Sequence, residues 1–149
     1  MQKETSQASL MRFQKLTPNF SVHDVSASVK YYQDALGFKL EMAVQEGLTT
    51  IEDSISDGHK YAYAMVSRDD VYVMFLQSDS FRKDIPELSD TPQGASVLFY
   101  IDVNNIDDVY GNIKQHTEIM KPLETTWYGM REFYIKDCNG YILGFAERE

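Results

Sequence analysis

A single cysteine, Cys138, stands in a chain of 149 residues, so no internal disulfide forms and a reducing cytoplasm is the natural setting. Basic residues are scarce: 14 Lys and Arg against 23 Asp and Glu leave a net charge of −9, with no basic footprint for nucleic acid. No apolar run approaches the roughly 18 residues needed to span a membrane. The opening MQKETSQASLMRFQK lacks the apolar stretch of a signal peptide and reads as a polar arm. Also missing are a phosphate-cradling glycine loop, zinc-spaced Cys and His, and paired carboxylates on one expected face. His23, His59 and His116 are scattered at positions that suit surface or capping roles, and Cys138 has no neighbouring histidine to activate it. Aromatic residues are abundant, with 10 Tyr and 8 Phe, and many of these must fill the core.

The chain repeats one plan. Asn19 to Val22 reads as a strand, and Asp24 caps a helix whose apolar stripe is Val25, Val29, Tyr32 and Leu36, closed by Gly37. Strands follow at Phe38 to Val44, Tyr61 to Val66 and Val71 to Leu76. The second half restarts with a strand from Ser96 to Val103. Asn105 is its candidate helix cap, Asp107 and Asp108 complement the helix dipole, and Ile106, Val109, Tyr110 and Ile113 form the stripe. Strands are expected around Ile119–Met120, from Arg131 to Lys136 and from Tyr141 to Glu147, the last two joined by the turn Asp137-Cys138-Asn139-Gly140. The expected organisation is a polar arm at 1–14, a βαβββ module at 15–78, a linker or loop at 79–94 and a second βαβββ module at 95–149. Residues Gln45 to Lys60 form a polar insertion that could serve as a lid. Period-two alternation places Val97, Phe99, Ile101 and Val103 beneath a helix and leaves Leu98, Tyr100 and Asp102 on the opposite, concave side.

Val22-His23-Asp24-Val25, Tyr31-Tyr32, Ala35-Leu36-Gly37-Phe38, the stretch Tyr100 to Tyr110 and the closing hairpin occur in order along the chain. Together they resemble the vicinal oxygen chelate superfamily, which includes glyoxalase I, extradiol dioxygenases and bleomycin-resistance proteins. Trp127-Tyr128-Gly129-Met130-Arg131-Glu132-Phe133 looks most like the bleomycin-resistance branch. The resemblance implies an α+β fold: two tandem βαβββ modules with curved mixed sheets enclosing a cleft, commonly within a homodimer. Metal-binding members draw ligands from the first and last strands of each module. Those positions fall here at Thr17, Phe75, Leu98 and Gly144, which make no divalent-ion site.

No metal or other cofactor is therefore expected. The expected function is metal-independent binding of an aromatic or cationic small molecule, with no nucleic-acid or membrane partner. A metal-dependent lyase, isomerase or dioxygenase with atypical ligands is the alternative. The candidate lining is Phe75, Gln77, Leu98, Tyr100, Trp127, Met130 and Tyr134. Tyr32, Tyr72, Phe99, Phe133 and Phe145 are expected in the core, and Arg131 and Glu132 are expected to pair with each other.

Overall fold

A computed structural model describes residues 10–94 and 96–149; the first nine positions of the expected arm lie outside the described residues. The first module comprises β1 (Asn19–Val22), α1 (Val25–Leu36), β2 (Lys39–Gln45), β3 (Tyr61–Arg68) and β4 (Val71–Gln77). The second comprises β5 (Leu98–Asp102), α3 (Ile106–Ile113), β6 (Ile119–Thr125), β7 (Met130–Lys136) and β8 (Ile142–Arg148). Each forms one four-stranded mixed sheet with the same plan, in the orders β1-β4-β3-β2 and β5-β8-β7-β6. The first and last strands of each module run parallel and the others antiparallel. The segment read as a linker carries a short helix, α2 (Ser78–Asp84), and a 3-10 turn at Pro86–Leu88.

Local chemistry explains both helix starts. Asp24 accepts from the Ala27 amide at 3.0 Å, and Gly37, with φ 71°, ends α1 in the left-handed region open to glycine. Asn105, the expected cap of α3, makes no side-chain cap bond and itself has φ 56°. Glu147 does that work from β8, its two carboxylate oxygens accepting from the Asn105 and Ile106 amides at 3.1 Å. A carboxylate at a helix N-terminus also meets the positive end of the dipole. The insertion after β2 is tied to the sheet by an Ala43–Glu52 bridge, and Gln45 and Tyr61 both donate to Glu52.

The two modules meet through their helix-backed sides. Phe20 stacks on Tyr141 at 4.0 Å and meets Phe99 edge-on at 4.8 Å. From α1, the buried Tyr32 hydroxyl donates to Asp137 in the β7–β8 turn at 2.6 Å, and Asn139 donates to Ser28 at 3.0 Å. This seam leaves the helix-free face of each sheet outside it. Burial raises the Asp137 pKa despite hydrogen bonds from Tyr32, Tyr141 and Asn139, and burial beside Asp137 pushes Tyr32 well up. Tyr32→Phe removes one bond to this carboxylate and is expected to cost about 1.5–3 kcal/mol in denaturant unfolding. Tyr31→Phe, which loses only a neutral bond to Thr117, is expected to cost about 1 kcal/mol.

Candidate functional site

The helix-free face of the second sheet gathers polar and aromatic groups where a sheet face would ordinarily be bland. Strand parity puts Leu98 and Tyr100 of β5, Met130, Glu132 and Tyr134 of β7, and Gly144 of β8 on this side. Phe133, Ile135, Leu143 and Phe145 point the other way, into the core. At the centre is Glu132, fully buried although the face around it is open. Its Oε2 accepts from Tyr100 at 2.5 Å, and its Oε1 accepts from Tyr128 at 2.6 Å and from Tyr134 at 3.2 Å. Three phenol rings thus roof one carboxylate.

Gly144 makes that roof possible. A Cβ at this position would stand 3.0 Å from Tyr134 Cε1 and 3.3 Å from Tyr100 Cδ1. The two rings occupy the space that any side chain here would need. In the last strand, where metal-binding members of the resembled superfamily carry a carboxylate, this chain places aromatic surface instead.

The electrostatics follow from the geometry. Desolvation acts to raise the Glu132 pKa, but hydrogen bonds from Tyr100, Tyr128 and Tyr134, with help from Lys121, leave it below the usual carboxylate range. The phenols shift the other way. Desolvation and then the bond to Glu132 raise Tyr100, desolvation and the Glu132 charge raise Tyr134, and the Glu132 bond raises Tyr128. The stable state is an anionic glutamate held by three neutral phenols. Each hydroxyl proton is committed to the carboxylate, so what the phenol oxygens still offer is lone pairs. A resident cation already samples the surface: Lys121 Nζ lies 5.1 Å from the Tyr134 ring centre and 3.1 Å from Glu124.

The expected site residues divide. Leu98, Tyr100, Met130 and Tyr134 share the face just described, and Trp127, 94% exposed, stands beside it edge-on to Tyr128 at 5.3 Å. Phe75 does not join them: it is fully buried on the helix side of the first sheet, 5.0 Å from the Tyr32 ring. The apolar run of β4 carries no alternation to fix its parity, and a one-residue slip exchanges the two faces. For the same reason Tyr72, expected in the core, is half-buried with Lys15 over its ring at 3.0 Å. Val97, expected beneath a helix, is 50% exposed just ahead of β5. Gln77 is occupied elsewhere, accepting from the Asp79 and Ser80 amides as the cap of α2.

Glu132 was not in the expected lining, and Arg131 is not its partner. Neighbours on a strand point to opposite faces, so Arg131 reaches Asp107 of α3 with two bonds of 2.7 and 2.9 Å. One signal in the sequence could have found Glu132: it is two residues before Tyr134, on the side a strand glycine leaves open.

At the inward strand positions among the described residues, a divalent ion meets few matching donors. With parity corrected, the inward positions of β4 are Met74 and Leu76, which pair with Met65 and Tyr63 and face away from the helix. Those of β5 and β8 are Leu98, Tyr100, Gly144 and Ala146. Among the described residues no three His, Cys, Asp or Glu side chains converge as a metal site. Glu132, the single carboxylate at the centre, has its oxygens engaged by phenols.

No curated protein matches the chain. Solved structures match closely in shape at low identity, which speaks to fold alone. A glyoxalase/bleomycin resistance protein/dioxygenase from Nocardioides aligns with a TM-score of 0.67 at 17% identity, covering 99% of this chain and 93% of that one. A glyoxalase-related enzyme from Clostridium phytofermentans gives 0.65 at 17% identity over 93% and 98%. The bleomycin-binding protein of bleomycin-producing Streptomyces verticillus, complexed with copper(II)-bleomycin, gives 0.61 at 19% identity over 93% and 99%. The model of the Glyoxalase/Bleomycin resistance protein/Dioxygenase superfamily matches residues 15–145. That match spans the whole first module and the second as far as Phe145 in β8, so the chain belongs to this superfamily.

Proposed function

We propose that this protein is a metal-independent small-molecule-binding protein that sequesters a planar cationic or aromatic compound on the helix-free face of its second sheet. The observation that carries this reading is the Glu132 cluster above Gly144. A phenol that donates to a carboxylate becomes a better acceptor, and its ring carries more negative charge. Such a surface favours a flat cation whose N–H groups meet phenol lone pairs while its plane lies on the rings. Trp127 and Met130 add adaptable apolar contact. The bleomycin-binding neighbour supports small-molecule binding, since that protein is complexed with copper(II)-bleomycin.

A cleft closed on both sides requires a second copy in this reading. The modules of one chain meet on their helix-backed sides, so a homodimer would set the first sheet's open face against the partner's second. Exposed Leu98 and Tyr100 would then be covered, together with Leu10, Phe13 and Leu16 ahead of β1.

Titration followed by Trp127 fluorescence tests the binding. A planar amidine or guanidine is expected to bind saturably and to beat its neutral isostere. Glu132→Gln keeps the shape but discharges the cluster, and is expected to weaken the cation about ten-fold or more, the scale of a desolvated cation–π contact. Because the Glu132 pKa is depressed, its contribution is full above the ordinary carboxylate range and disappears as pH falls through the lowered value. Cation affinity should therefore be flat near neutrality and drop only in acid. Equal affinity for cation and isostere would remove the basis of the proposal.

A further inference from the structure

We propose that a second ligand site lies on the opposite side of the molecule, in the cleft between α1 and α3, and that it takes a small organic ammonium compound with an apolar body. The cleft holds about 430 Å³, within the size range of small-molecule sites. Its walls include Phe38, Ile101, Val109, Ile113 and Phe145, and its rim carries Asp69 and Asp70.

The internal repeat explains why it is open. The seam between modules is built twice, each time from one module's helix and the other module's last hairpin turn. On the α1 side the turn is five residues long, from 137 to 141 between the paired Lys136 and Ile142. It fills the seam, with Asp137 and Asn139 bonded to Tyr32 and Ser28. On the α3 side the corresponding turn has two residues, Asp69 and Asp70, between the paired Arg68 and Val71. Counted from the first residue of each helix, Ser28 and Tyr32 correspond to Val109 and Ile113. A shorter turn thus meets two aliphatic side chains that can hold nothing polar, and space remains.

The charges at the mouth select the ligand. Among the described residues neither Asp69 nor Asp70 enters an ion pair. The one guanidinium on the rim, Arg68, is turned toward the end of α1, where it donates to the Leu36 carbonyl at 2.8 Å. A hydrocarbon group buried against Ile101, Val109 and Ile113 would carry its ammonium out among the carboxylates. This is a different site from the Glu132 face and does not depend on that reading.

Cyclohexylmethylammonium, cyclohexylmethanol and cyclohexanecarboxylate serve as matched probes in NMR titrations of the full chain. The ammonium is expected to give saturable shifts at Val71, Ile101, Val109 and Ile113, with no change at Tyr100 or Tyr134. The alcohol should bind several-fold more weakly and the carboxylate not measurably. Val109→Phe fills the cleft and is expected to abolish the shifts. The exposed substitutions Asp69→Asn and Asp70→Asn, which disturb no packing, should each weaken the ammonium by up to about five-fold, the scale of an exposed ion pair. Equal binding of all three probes, shifts confined to the Glu132 face, or no shifts at the cleft would each overturn the proposal.

Discussion

Gly144→Glu is expected to abolish cation binding and to lower stability by about 3 kcal/mol or more, through overpacking and like-charge burial. The new Cβ alone would press on Tyr134 at 3.0 Å and Tyr100 at 3.3 Å, so both rings must leave their places over the strand. The carboxylate would then enter a buried position, on the same face as Glu132. Two buried carboxylates repel, and one must take a proton or reach water. This substitution also restores the residue type that metal-binding members of the superfamily carry in their last strand. No metal should follow, because Met74, Leu76, Leu98 and Tyr100 still stand at the other inward positions. Unfolding curves and metal analysis of one preparation check both halves. A stable variant with a stoichiometric divalent ion would mean that the cluster is incidental and a metal site is one residue away.

Leu76→Arg is expected to turn the proposed homodimer into a monomer. Leu76 lies on the helix-free face of the first sheet, paired with Tyr63 and Ser21. On the open surface of a single chain an arginine here costs little, since its head can reach water. Buried against a partner without a counter-charge it costs several kcal/mol, enough to weaken association more than about a hundred-fold. Light scattering should then report the 17.2 kDa chain for the variant and twice that mass for the parent. Ligand affinity should fall with it, because in the proposed dimer the first sheet of one copy would close over the second sheet of the other. A monomeric parent that binds the cation as tightly as the account requires would separate binding from assembly.

The difference between the two strands at this surface shows what a sequence can carry. In β5 the inward and outward residues contrast, Phe99 and Ile101 packing on the core while Leu98 and Tyr100 lie open, and period-two reading places them correctly. In β4 every residue from Val71 to Leu76 is apolar, and Phe75 and Tyr72 could exchange faces without any local sign. The first helix is legible to its ends because Asp24 and Gly37 are local signals. The start of α3 is not, since its capping carboxylate, Glu147, comes from 41 residues further along. The Glu132 cluster has the same character: its tyrosines come from β5, from the loop before β7 and from β7 itself. Only the register of β7 against β8, with Gly144 opposite Tyr134, brings them onto one carboxylate.

Metal-independent binding at the Glu132 cluster is tested by calorimetric titration of a planar guanidine into the protein in excess chelator, for the parent and Glu132→Gln. Saturable, stoichiometric binding by the parent with chelator present is expected, with an affinity about ten-fold lower or worse in the variant. Binding that appears only after a divalent metal is added, or that is unchanged by Glu132→Gln, would contradict it.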